Sequence, residues 1–233
     1  MTLTIQPAMT VGSIAASIPG APAVLERFGI DYCCGGKARL EQVCVKKGLE
    51  VLDVMGEIRR AADTAREERD WTQATMTELS RNIESTHHRY LKDELPRLLT
   101  LARKVARVHG DKDHRLVQLE KVLDRFAGEL VDHMAKEEHV LFPTLRTVES
   151  DHTIMPGGID RPIACMMAEH NDAGDALERL RELTDGFTPP PGACGSWRVL
   201  LTDLSRLERD MHEHVHKENN ILFPRAMSLR TTA

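Results

Sequence analysis

Two segments of this 233-residue chain repeat one arrangement of potential ligands. His133-Met-Ala-Lys-Glu137-Glu-His-Val-Leu141-Phe142-Pro143 and His214-Val-His-Lys-Glu218-Asn-Asn-Ile-Leu222-Phe223-Pro224 share the pattern H-x-x-K-E-x-x-x-L-F-P. In each copy an imidazole and a carboxylate stand four residues apart, so a helix places them about 6 Å apart along one face. A further histidine precedes each copy: His88 lies 45 residues before His133, and His170 lies 44 before His214. All six residues fall in phase with apolar positions that point to a core. Burying isolated carboxylates and imidazoles there is costly, and a bound cation removes that cost by accepting their lone pairs. The pattern therefore predicts a near-symmetric pocket for two metal ions, with His88, His133, Glu137, His170, His214 and Glu218 as ligands. Mixed imidazole and carboxylate donors suit Fe, Mn or Zn. Six ligands for two ions leave open positions for water, oxide, dioxygen or nitric oxide unless the glutamates bridge.

Other candidates are weaker. His87 neighbours His88 but fits the step pattern less well. His109 is on the seam but roughly 31 Å further along its helix, near a loop. His139, His212 and His216 point off the seam and are expected at the surface. Glu129 and Glu169 lie close to ligands and are candidates for an outer layer that orients them or passes protons. Met134, Met166, Met167 and Met211 read as core filler.

The elements that must hold such a site are long helices. Apolar steps of three and four recur through His88, Leu91, Leu95, Leu98, Ala102 and Val105. They recur through Leu116, Leu119, Leu123, Phe126, Leu130, His133, Glu137 and Val140, and through Ile163, Met166, His170, Ala173, Leu177 and Leu180. A fourth run is Leu200, Leu204, Leu207, Met211, His214, Glu218 and Ile221. Loop signals separate them at residues 110–113, at Pro156-Gly157-Gly158 and at Pro189-Pro190-Pro191-Gly192. Short connections favour antiparallel neighbours, hence an all-α, up-down-up-down four-helix bundle over residues 76–229. Counting about 21 residues from His88 to the first loop, and about 20 and 24 back to His133 and Glu137, puts the three in one layer. Ferritin-like bundles carry Glu-x-x-His, not the His-x-x-x-Glu found here.

Residues 1–62 form a separate small helical domain. A short helix is expected from Ala21 to Phe28, and a second through Leu40, Val43, Leu49, Leu52 and Ile58. Residues 63–75 are a linker or helix extension. Between the two short helices lies Cys33-Cys34-Gly35-Gly36. Adjacent thiols beside glycines could be exposed and redox-active or metal-binding, or could be half-buried in a turn; a disulfide between neighbours would be strained and labile. Cys44, Cys165 and Cys194 are single and read as structural.

Five cysteines are no disulfide framework in a reducing compartment. Residues 1–20 lack a basic segment followed by an apolar stretch, and no run could span a bilayer, so a cytoplasmic protein without a membrane is expected. A net charge of −5 argues against nucleic acid as the main partner. With aromatics at only 4%, the core must be aliphatic.

The whole chain resembles the Repair of Iron Centres family. Asp31-Tyr32-Cys33-Cys34-Gly35-Gly36-Lys37 is similar to the signature of that family's N-terminal domain. His88 with Glu94-Leu95-Pro96, Ala168-Glu169-His170 and the two repeated blocks are similar to the ligand segments of its hemerythrin-like domain. The resemblance implies two non-haem irons per chain, oxo-bridged and bridged by Glu137 and Glu218, with terminal nitrogens from His88, His133, His170 and His214. It implies repair of iron–sulfur clusters after oxidative or nitrosative stress, with the protein as iron donor and iron–sulfur proteins as recipients. Nitric oxide or dioxygen would be small ligands, and Cys33 and Cys34 would take part in redox chemistry or iron transfer. The alternatives are a di-iron nitric oxide reductase, or a nitric oxide or dioxygen carrier. Oxygen carriers of this type use five histidines, against four here, and have no need of a Cys-Cys domain. Exposed thiols would also permit a homodimer.

Overall fold

The computed structural model of the protein describes residues 5–64, 70–151 and 158–229. Among these residues all regular structure is helical apart from one isolated β-bridge, Thr10 to Arg39. No helix among them is long and apolar enough to cross a membrane. The chain divides into two compact units, one of residues 1–80 with 212–233, the other of residues 81–211.

In the first unit α1 (Val11–Ser17) starts at Thr10, whose hydroxyl caps the Ser13 amide. α2 (Ala21–Arg27) carries proline in its first turn. α3 (Leu40–Lys47) and α4 (Val51–Thr64) follow. The single second helix expected from the sequence is thus two. Gly48, at φ 67°, ends α3 in the left-handed conformation that glycine adopts without penalty. Val11, Ile14, Leu25, Leu40, Val54 and Ile58 form a closed aliphatic core, while Leu52 is exposed. α4 extends to Thr64, past the expected boundary at 62; residues 65–69 of the expected linker lie outside the described residues. α5 (Met76–Ile83) begins in this unit and runs into the second.

The second unit contains α6 (Arg89–His109), α7 (Arg115–Lys136), α8 (Phe142–Asp151), α9 (Asp160–Leu183) and the first part of α10 (Gly195–Lys217). α7 packs against both α6 and α9. Charged ties fix α10 to its neighbours: Arg97 of α6 bonds Asp203 at 2.5 Å, and Arg181 of α9 bonds Glu208 at 2.8 Å. The expected apolar stripes are buried, from Leu91 to Val105 on α6 and from Leu116 to Leu130 on α7. Of the loop signals, Pro156-Gly157 lies outside the described residues. α11 (Phe223–Ser228) ends the described chain in the first unit.

Among the described residues three π-helical turns interrupt the helices: Glu84–His88, Glu137–Leu141 and Glu218–Leu222. Each widens the helix by one residue and rotates everything beyond it. Val140, expected on the seam, is therefore 60% exposed, and Leu141 takes the core position.

Candidate metal centre

Each π turn begins or ends on a predicted ligand: His88 closes the first, Glu137 opens the second and Glu218 opens the third. Such turns are rare and concentrate at functional positions, because the extra residue re-aims side chains without breaking the helix. His170 projects from the unbroken α9.

Within the second unit the carboxylate of Glu137 divides between two imidazoles. Its Oε2 lies 3.3 Å from Nε2 of His88, and its Oε1 lies 3.4 Å from Nε2 of His133. The Nε2 atoms of His133 and His170 converge to 3.1 Å. Within the first unit, Nε2 of His214 and Oε1 of Glu218 are 3.1 Å apart, one helical turn from each other. All six side chains are buried, with His88, Glu137, His214 and Glu218 at 0% exposure.

Two groups of four buried residues could each hold a metal ion: His88, Glu137, His214 and Glu218, and His133, Glu137, His170 and Glu218. Glu137 and Glu218 belong to both. Two imidazole nitrogens and two shared carboxylates per set are a donor set that divalent or trivalent iron accepts readily. The residues present therefore fit a pair of metal ions.

Outside these six residues lies a layer that the sequence only partly disclosed. Glu169 Oε2 sits 2.8 Å from Nδ1 of His133, and its other oxygen accepts from Lys136 at 2.5 Å. Glu138 repeats the device, with Oε1 2.9 Å from Nδ1 of His88 and both oxygens held by Lys92 at 2.6 and 2.7 Å. Burial alone would raise both carboxyls; the lysine and imidazole partners outweigh it and hold them below the usual carboxylate range. A carboxylate on Nδ1 fixes the tautomer that leaves Nε2 free to bind a cation. Phe142 stacks on the His88 ring at 5.7 Å. Glu138 was missed because glutamate after glutamate on a helix reads as a solvated face. Glu129 is not brought to the centre: it is paired with Arg125 at the exposed surface.

The remaining histidines sort clearly. His87 is buried but turned away, its Nδ1 2.9 Å from Asp210 Oδ1. His109 lies 3.2 Å from the exposed Cys194 thiol. His139 is exposed, as expected. His216 is not at the surface: it is 5% exposed and edge-on to Tyr32 at 5.2 Å, and burial pushes its pKa down to about 4. His212 lies half-buried, 3.6 Å from Glu26.

Cys33 is buried and Cys34 half-buried, with sulfurs 3.9 Å apart and no disulfide. Asp31 gathers the loop, accepting from the amides of Cys33, Cys34 and Gly35 at 2.9, 3.0 and 2.7 Å. The hydrogen bond to Cys34, then burial, then Asp31 raise the Cys33 thiol above its ordinary range, so it rests as a thiol rather than a thiolate. Of the other three, Cys44 is buried in the small unit's core, whereas Cys165 is exposed like Cys194.

Comparison with known proteins agrees with this construction. Residues 79–226 match the hemerythrin HHE cation binding domain, and residues 7–62 match ScdA_N, a domain of unknown function. The iron–sulfur cluster repair protein YtfE of Edwardsiella ictaluri is 39% identical over 93% of this chain and 96% of its own length. That of Citrobacter koseri is 37% identical over 94% and 96%, and that of Dickeya chrysanthemi 38% over the same shares. With both domains matched in order and relatives aligned end to end, the chain belongs to the Repair of Iron Centres family that its motifs resemble.

Proposed function

We propose that this protein holds two non-haem irons and repairs iron–sulfur clusters damaged by oxidative or nitrosative stress, acting as the iron donor. The observation that carries the reading is the sharing of Glu137 and Glu218 by both four-residue sets. A shared carboxylate serves two ions, and a pair of ions is more than a structural site needs. The full-length similarity to proteins named for iron–sulfur cluster repair supports the same reading.

The residues divide the work. His88, His133, His170 and His214 would supply terminal nitrogens, and Glu137 and Glu218 would bridge; an oxo bridge is the family's expectation. When bound, the irons supply labile metal and open coordination positions for small ligands such as nitric oxide or dioxygen. Glu138 and Glu169 orient two of the histidines from outside. The buried shell keeps bulk water from the ligands. Cys33 and Cys34 lie in the same compact unit as His214 and Glu218, a placement suited to a thiol acting in transfer. Iron–sulfur proteins in the cytoplasm are the proposed recipients.

The test is reactivation of a cluster-containing dehydratase inactivated by nitric oxide. Iron-loaded protein restores activity without added iron, while Glu218→Ala and His214→Ala do not. Equal reactivation by metal-free protein would overturn the donor reading. Sustained, multiple-turnover release of nitrous oxide by the reduced protein would replace it with the reductase reading.

A further inference from the structure

The two copies of the ligand motif diverge at one place. Glu137 is followed by Glu138-His139, whereas Glu218 is followed by Asn219-Asn220. Both dipeptides lie inside π turns. In the first copy the added carboxylate serves His88. In the second the amides turn to the thiol loop instead. Asn220 Nδ2 donates to the carbonyls of Tyr32 at 3.0 Å and Cys33 at 3.3 Å, and lies 3.1 Å from Nδ1 of His216. Asn219 Nδ2 donates to the Cys33 carbonyl at 3.4 Å.

The seat for Asn220 is built of glycine. The Gly12 amide donates to the Gly36 carbonyl at 2.9 Å, and a Cβ on either residue would collide with the Asn220 side-chain oxygen. Neither glycine has a positive φ, so space rather than backbone freedom demands glycine at these two positions. Asp31 binds the loop's amides while the asparagines bind its carbonyls. Held in this way, Cys33 is only 7% exposed.

We propose that Asn220, assisted by Asn219, is a positioning residue that latches the Cys33-Cys34 loop onto the turn carrying Glu218, and that this latch sets the accessibility of the Cys33 thiol. The latch itself does not depend on the repair reading; only its use, covering a thiol between transfer events, rests on it.

The experiment is site-resolved alkylation with iodoacetamide on the iron-loaded full-length protein, read by peptide mass spectrometry. Exposed Cys194 serves as the internal standard, and buried Cys44 of the same unit reports general loosening. Asn220→Ala is expected to raise the Cys33 rate roughly tenfold, the scale of losing buried hydrogen bonds, with Cys44 and Cys194 unchanged. Asn220→Asp, which keeps the shape but removes the donor, should match it. Gly36→Ala, which denies Asn220 its seat, should move Cys33 the same way. An unchanged Cys33 rate in Asn220→Ala, or Cys33 and Cys44 rising together, would overturn the latch. No repair assay enters the readout, so failure of the repair reading would leave this result standing.

Discussion

Glu138 holds Nδ1 of His88 at 2.9 Å, while Glu137, one residue before it, faces Nε2 of the same ring at 3.3 Å. Consecutive carboxylates at the start of a π turn therefore grip one imidazole from both sides. Removing the outer grip should loosen the inner one. Glu138→Gln is expected to weaken iron retention by about 10- to 100-fold, the usual cost of losing a carboxylate behind a ligating histidine. The rate of iron loss to a chelator measures it, and Glu169→Gln should behave alike through His133. A rate equal to the parent's would show that neither carboxylate orients a ligand.

His87 and His88 are both buried but should separate completely. His87→Ala removes a buried partner of Asp210, so it should cost about 1–3 kcal/mol of stability and leave iron content unchanged. His88→Ala should lose iron. Denaturant melts paired with metal analysis distinguish the two, and iron loss in His87→Ala would reassign the ligand.

Metal removal should destabilise the fold, since Glu137 and Glu218 are both fully buried. At a hundredfold excess of iron over its dissociation constant, linkage contributes about 2.7 kcal/mol for each ion bound. In a chain of this size that is roughly 5–10 °C in melting temperature. Differential scanning calorimetry of loaded and chelated protein measures it. Coincident melts would mean that the cluster is a structural polar core.

A pH-dependent element lies away from the centre, at the start of α7. Asp113 accepts from the Arg115 amide at 3.0 Å and from its guanidinium at 2.8 Å, and the Arg115 side chain beside it lowers its pKa. A depressed carboxyl contributes stability above its unfolded pKa and loses it as pH falls through the folded value. Asp113→Ala should therefore cost about 1 kcal/mol at neutral pH. The gap to the parent should close under acid, below the ordinary carboxylate range. A gap constant with pH would mean that backbone capping by the side chain, and not its charge, is responsible.

Much of this was legible because duplication is hard to mimic by chance. His133, Glu137, His214 and Glu218 recur at matched spacing on an apolar stripe, and periodicity alone then indicates a helical bundle. What escaped was anything that depends on helix pitch or on contacts far along the chain. A π turn has no reliable local signature, so the apolar steps put Val140 on the seam, where the structure has Leu141. The apolar seam puts His216 at the surface because its cover, Tyr32, lies far away in sequence. Gly48, inside a plausible helical run, stopped a helix that the apolar steps would have continued.

On the proposed reading, four histidines and two glutamates, all buried, hold two irons. Iron per chain after anaerobic reconstitution with ferrous iron, measured on the parent and on Glu137→Gln, tests it most directly. Two irons in the parent, one for each of the two ligand sets, with both weakened or lost together in the variant, is the predicted result, because Glu137 belongs to both sets. One iron or none in the parent, or a variant that keeps its full complement, would contradict it.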